Sequence, residues 1–271
     1  MERKLLQYVS LPRPVMALSD RFGRLPIQGV KKFLMDGYHE ANKQGFPTEL
    51  IKHAFFIREK VVCSPKLHRN DFPMDQKFMF RMSIASVGTT SYSVFQELYD
   101  PSTMERLLRS ETKLVNVDPE TRRPTNLPKL FVEQSSKFKS GDCGLITEIQ
   151  KDIVPPNNAF RTITRTRYSD MDTNLHVNFA EYYGFCADCA SEASQSGYYR
   201  HYADDIGRFP VLQTDVTFIR ESPSCSNLDV YTWQDTGNVQ IIYFAIYLKS
   251  DRILLAQFLY DYKASFIASK I

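Results

Sequence analysis

Residues 168–185 read YSDMDTNLHVNFAEYYGF. Asp170, Asp172, Asn174, His176 and Asn178 fall on alternate positions, just ahead of a run of aromatic and small residues. Three kinds of chemistry use such residues. Oxygen ligands at alternate positions suit calcium, and Asp170, Asp172 and Asn174 with Glu181 match places 1, 3, 5 and 12 of an EF-hand loop. Against that, Leu175 stands where the loop wants glycine, and the preceding FRTITRTRY alternates like a strand rather than an entering helix. Asp and Asn also cap helix starts, at about 1 kcal/mol per cap, but one helix needs one cap and five polar candidates are present. The third reading is hydrolysis. A carboxylate beside His and Asn serves as base or nucleophile, worth about 10²–10⁴ in rate. The free N–H groups and positive dipole end of a helix start polarise a carbonyl, and donors placed this way give about 10²–10³. Hydrolysis accounts for most of these residues and needs no metal and no organic cofactor. The structural alternatives are a satisfied histidine at a helix start for His176 and a left-handed turn residue for Asn174.

Several elements must hold this stretch. FRTITRTRY (160–168) reads as a strand, and 177–196 as a proline-free helix stopped by Gly197. Strand patterns follow at 211–221, 228–235, 239–249 and 252–263, with hairpin turns at Gly237-Asn238 and Ser250-Asp251. The first half repeats the order: a helix over 23–45 with Pro26 near its start, then strands at 54–67, 77–87, 90–100 and 112–118. Ser19-Asp20 matches Ser169-Asp170, 150 positions on, and Leu25 matches Leu175. Glu40-Ala41 matches Glu192-Ala193 after a slip of two. The expected architecture is α+β: a tandem (double) hotdog, each unit a curved antiparallel sheet wrapped around one long helix. The expected units are 1–133 and 156–271, joined by a polar linker over 134–155. Edge strands of such units can pair, so a homodimer is expected.

The 271 residues carry a net charge of +3, with 43% hydrophobic and 24% charged residues, as in ordinary globular chains. Residues 1–150 hold 23 Lys+Arg against 17 Asp+Glu, and 151–271 hold 11 against 14. A basic first half would attract an acidic or phosphorylated partner. No apolar run approaches the ~18 residues of a membrane span, and no nucleic-acid motif is present. MERKLLQYVSLPRPVMAL is not read as a signal peptide, so a cytoplasmic location is expected. Five cysteines do not make a disulfide framework, and Cys186-Ala-Asp-Cys189 lacks a second pair for zinc, so buried free thiols are expected.

SDMDTNLHVNFAEYYGF resembles the D-x-D-x-N-x-H-V-N-N…Y signature of acyl-[acyl-carrier-protein] thioesterases, within the wider hotdog thioesterase superfamily. VTFIRES (216–222) resembles their strand ending in Arg-Glu before Cys, and TKLVNVDPETRRPTNLP (112–128) the close of their first unit. The likeness spans roughly residues 20–263. It implies hydrolysis of a fatty acyl thioester on acyl carrier protein, or alternatively coenzyme A. A non-catalytic acyl-binding or scaffold protein is the reading from another class. The resemblance implies Asp172 as nucleophile or base, Asn174 and His176 positioning it and the thioester, and Glu221 activating water. Glu221 could otherwise be a solvent-facing strand carboxylate. Val177, Asn178 and Phe179 are expected to line the substrate site. Phe179 replaces the family's second Asn, and Ser222 replaces its Cys. On the 150-residue register, Asp170 is inherited structure, and Phe22, Arg24 and Pro26 replace Asp172, Asn174 and His176. The first unit is therefore expected to be inert.

Overall fold

A computed structural model of the chain describes residues 7–14, 18–69, 72–73, 75–146, 153–202 and 204–262. Parts of the N-terminal stretch and residues 147–152 of the expected linker lie outside them. Two compact units emerge: Met1–Met16 with Lys32–Glu148, and Ala17–Lys31 with Ile149–Ile271.

The first unit is a five-stranded antiparallel sheet in the order β1-β3-β4-β5-β2. Its strands are β1 (Gln7–Pro12), β2 (Ala54–Cys63), β3 (Lys77–Val87), β4 (Ser91–Tyr99) and β5 (Arg106–Asn116). Helix α1 (Ile27–Lys43) lies on it. Phe33 meets Phe78 edge-on at 6.1 Å, and the Gln96 side chain donates to the Leu34 carbonyl at 3.4 Å. Gly37 permits the approach, because a Cβ there would sit 2.7 Å from the Phe80 ring. A short helix α2 (Pro65–Arg69) follows β2, and α3 (Lys129–Ser135) follows β5. The expected linker is partly structured. Beyond α3, Ser140 N–H donates to the Ile84 carbonyl at 2.7 Å, and Glu111 accepts from the backbone of Leu145 and Ile146.

The second unit repeats the plan in the order β7-β10-β9-β8-β6. Its strands are β6 (Phe160–Arg165), β7 (Val211–Phe218), β8 (Asn227–Gln234), β9 (Ile241–Leu248) and β10 (Asp251–Tyr260), with α4 (Phe179–Gln195) as its long helix. Tyr183 stacks on Phe258 at 5.9 Å, and the Cys189 thiol donates to the Val230 carbonyl. Each unit is thus a hotdog, and the chain a double one.

The two helices fix the register of the repeat. Adding 152 to 27–43 gives 179–195, the bounds of α4. Both helices end alike: Phe46 N–H returns to Ala41 at 3.1 Å and Tyr198 N–H to Ala193 at 2.9 Å. The following turns use Gly45 and Gly197 at φ +86° and +75°.

Candidate active site

The polar stretch folds as a tight loop between β6 and α4. Asp170 is buried beneath it, and its carboxylate accepts from the Arg167 backbone at 2.7 Å and from that residue's guanidinium at 2.8 Å. The Asp170 carbonyl accepts from Asn178 N–H at 2.8 Å, and Met171 pairs with Val177, closing the loop at its base. At the tip, the Asp172 carboxylate accepts from Asn174 N–H at 2.8 Å and from the Asn174 amide at 3.5 Å. Asp172 N–H donates to the His176 carbonyl at 2.9 Å, and Leu175 N–H to the Asp172 carbonyl at 3.1 Å. Leu175 takes φ +61°, a left-handed position that costs an L residue about 1–2 kcal/mol. Asn178 caps α4, its side-chain oxygen accepting from Ala180 N–H at 2.9 Å.

Glu221 comes to this loop from just beyond the end of β7. β7 ends at Phe218, not at 221 as the alternation predicts, because Ile219 and Arg220 both turn their N–H groups to the single Ile253 carbonyl. The chain leaves the ladder there, and the Glu221 carboxylate reaches His176 Nε2 at 3.3 Å. His176 Nδ1 is buried and meets no hydrogen-bond partner among the described residues. Such an atom costs about 1–3 kcal/mol and calls for a reason.

The pair is held by its neighbours in sequence. Val177 N–H donates to the Ser222 carbonyl at 3.0 Å. Ser222, fully buried, donates its own N–H to the Tyr182 hydroxyl at 3.1 Å, and the two hydroxyls lie 2.8 Å apart. Burial pushes the Tyr182 phenol up, while the Ser222 contacts pull the other way. Ser222 stood out in the sequence only as a departure from the family pattern, and its contact with Tyr182 was not foreseen there. Phe179 opens α4, edge-on to Phe218 at 6.3 Å, with the buried Lys31 ammonium 5.5 Å from its ring. Glu181 lies in α4 and accepts from Gln28 at 2.7 Å instead of closing a calcium loop. Burial raises the Cys186 thiol and pushes Cys189 up to about 12, as inert core thiols.

The copy loop before α1 corrects the expected register. Asp20 accepts from Phe22 N–H at 2.8 Å, Asp20 N–H donates to the Arg24 carbonyl at 2.8 Å, and Gly23 N–H returns to Asp20 at 3.0 Å. These are the bonds of Asp172, and Gly23 at φ +71° stands where Leu175 stands. The register of 152 therefore holds without a slip. Asp20 corresponds to Asp172 and not to Asp170, while Phe22, Arg24 and Pro26 correspond to Asn174, His176 and Asn178. Arg24 hydrogen-bonds the Arg208 carbonyl, and the guanidinium carbons of Arg21, Arg24 and Arg208 lie 4.9, 5.6 and 4.9 Å from the Phe22 ring. The copy has become a structural clasp.

No protein-family model matches the chain, and no curated protein matches it by sequence. Solved structures do match. A protein described as an oleoyl thioesterase from Lactobacillus plantarum superposes with TM-score 0.75 at 12% identity, over 96% of this chain and 97% of that one. A 12:0-ACP thioesterase from Umbellularia californica gives 0.74 at 15% identity, over 96% and 98%. An acyl-ACP thioesterase from Bacteroides thetaiotaomicron gives 0.71 at 14%, over 94% and 98%. The fold of this chain is the double hotdog of those proteins, matched over nearly the whole length of each.

Proposed function

We propose that the chain is a thioester hydrolase that releases a fatty acid from acyl carrier protein. The observation that carries this is the His176–Glu221 contact, set on a loop that caps the long helix of the second hotdog. Asp172, Asn174, His176 and Glu221 form the site, with Val177, Asn178 and Phe179 beside the acyl group. The first repeat keeps only the aspartate of this set. The shared fold of the acyl-ACP thioesterases supports the carrier protein as leaving group, and the basic first half suits its acidic surface. No helix among the described residues is long and apolar enough to cross a membrane. A cytoplasmic homodimer serving fatty acid synthesis fits this reading.

Thiol release from acyl carrier protein and coenzyme A thioesters of several chain lengths tests it. Release is expected, with carrier-protein thioesters preferred, and with large losses in Asp172→Ala and His176→Ala. Better turnover of coenzyme A thioesters would reassign the carrier. Binding without release would make the protein an acyl-binding scaffold.

A further inference from the structure

We propose that the pair of loops around the candidate site is a lipid-facing rim. It seats the protein reversibly on an anionic membrane surface, with Tyr168, Leu175 and Ile219 in the interface and Arg165, Arg167 and Arg220 among the headgroups. This goes beyond the thioesterase reading, which supplies only a use for it. A released fatty acid is an amphiphile, and a site that opens at a bilayer discharges it without a passage through water.

Three observations converge on it. The first is exposure. Among the described residues, the two most exposed large hydrophobic side chains are Tyr168 at 79% and Leu175 at 77%, and both lie on the loop before α4. Ile219, also exposed, stands just beyond β7 on the neighbouring loop. The two loops form one surface. Thr166 N–H donates to the Ser226 carbonyl at 2.9 Å, Cys225 N–H to the Thr166 carbonyl at 2.9 Å, and Val177 N–H to the Ser222 carbonyl at 3.0 Å.

The second is the conformation of Leu175. It holds φ +61°, whereas the matching turn before α1 is built with Gly23. A branched apolar side chain that is both left-handed and exposed is a cost to the fold, and such costs gather where a surface has another use.

The third is charge. Arg165 and Arg220 are exposed, and the Arg167 side chain stays 70% exposed although its partner Asp170 is buried beneath it. Arg220 shares an exposed ion pair with Asp251 at 2.6 Å. Cys225 raises the Tyr168 phenol and Arg165 works against it, so both stand beside that side chain. The acidic groups on the two loops are Asp170, Asp172 and Glu221, all buried or half-buried, which leaves guanidinium as their outermost charge. Tyrosine and arginine around aliphatic tips is the composition of a membrane interface, where amphipathic side chains sit at headgroup level. Side chains more than three-quarters exposed project outward and form no pocket. A protein partner binds through close shape complementarity, and a lipid surface needs none. The projecting form therefore favours lipid over a carrier protein.

Co-sedimentation of the purified full chain with vesicles tests this. No thioester is present, so its failure and that of the hydrolase reading are distinct. Binding is expected to vesicles holding about one third phosphatidylglycerol in phosphatidylcholine, weakening as salt screens the arginines, and to be slight with phosphatidylcholine alone. Arg165→Gln is expected to lower the partition coefficient about 5-fold. Leu175→Gly, which keeps the left-handed turn, combined with Tyr168→Ser is expected to lower it on the order of 10-fold, with thiol release in solution unchanged. No binding to anionic vesicles, or equal binding by variants with native circular dichroism, would overturn the proposal. A raised KM of the Leu175→Gly, Tyr168→Ser protein for carrier-protein thioesters without vesicles would also overturn it and assign the rim to the carrier. A shift of that protein from dimer to monomer in sedimentation would do the same and assign the rim to a second copy.

Discussion

The N–H of Val177 donates to the carbonyl of Ser222 at 3.0 Å, and these two residues are the sequence neighbours of His176 and Glu221. One backbone bond thus registers the two halves of the site. It is reinforced from α4, where the Tyr182 hydroxyl meets both the N–H and the hydroxyl of Ser222. Tyr182→Phe strips both contacts and leaves a buried N–H unsatisfied, so it is expected to cost about 1–3 kcal/mol in urea unfolding. Ser222→Ala removes only the hydroxyl contact and is expected to cost about 1 kcal/mol. Both should lower kcat more than they raise KM, and Ser222→Ala should add little in the Tyr182→Phe background. Additive losses would show that the two side chains act separately.

Leu175 holds a left-handed conformation at an exposed loop tip. Its counterpart Gly23 adopts the same conformation without a Cβ. Leu175→Gly is therefore expected to stabilise the protein by up to about 1 kcal/mol, the relief of left-handed strain less the added freedom of the unfolded chain. Urea midpoints of the two proteins measure it. A loss of stability would mean that the leucine side chain makes contacts outweighing its strain.

That conformation also explains where the sequence misled. Helices were legible because their apolar stripes, Pro26, Gly45 and Gly197 are chemical signals with direct conformational meaning. The strands of both sheets showed through alternation and turn residues, although β1 was missed because six residues ending in Pro12 carry little pattern. The repeat was visible, but its register was drawn through the identical pair Ser-Asp. The true correspondence equates Gly23 with Leu175, a likeness of backbone and not of residue type. Glu221 was found by resemblance. Its partner, and the Tyr182–Ser222 contact across 40 positions, are tertiary facts with no local signature.

Gly37 faces Phe80 so closely that an ideal Cβ would lie 2.7 Å from the ring and 2.8 Å from its γ carbon. The ring is buried in β3 and cannot swing away as a flexible chain end would. Gly37→Ala gains helix propensity of about 1 kcal/mol, but overpacking typically costs 1–3 kcal/mol. A net destabilisation is expected. Thermal unfolding of the variant checks it, and a raised Tm would mean that α1 shifts freely on the sheet.

Asp205 ties the copy loop to the segment after α4. Its carboxylate accepts from Arg21 Nε at 2.9 Å, Ser191 Oγ at 3.0 Å and Gly207 N–H at 2.9 Å. Burial works to raise this carboxyl, but the bonds from Arg21, Gly207 and Ser191 outweigh it and hold the group below the ordinary carboxylate range. A carboxyl depressed on folding contributes stability above its unfolded pKa, about 3.9, and loses it as pH falls through the lower folded value. Asp205→Asn should therefore lower Tm at neutral pH, and the gap to wild type should narrow as the solution is acidified below about pH 4. Scanning calorimetry of both proteins from pH 3 to 7 measures that gap. A gap that stays constant across the range would assign the loss to hydrogen-bond geometry instead of charge, and with it the view that the copy loop survives as an ionic clasp would fall.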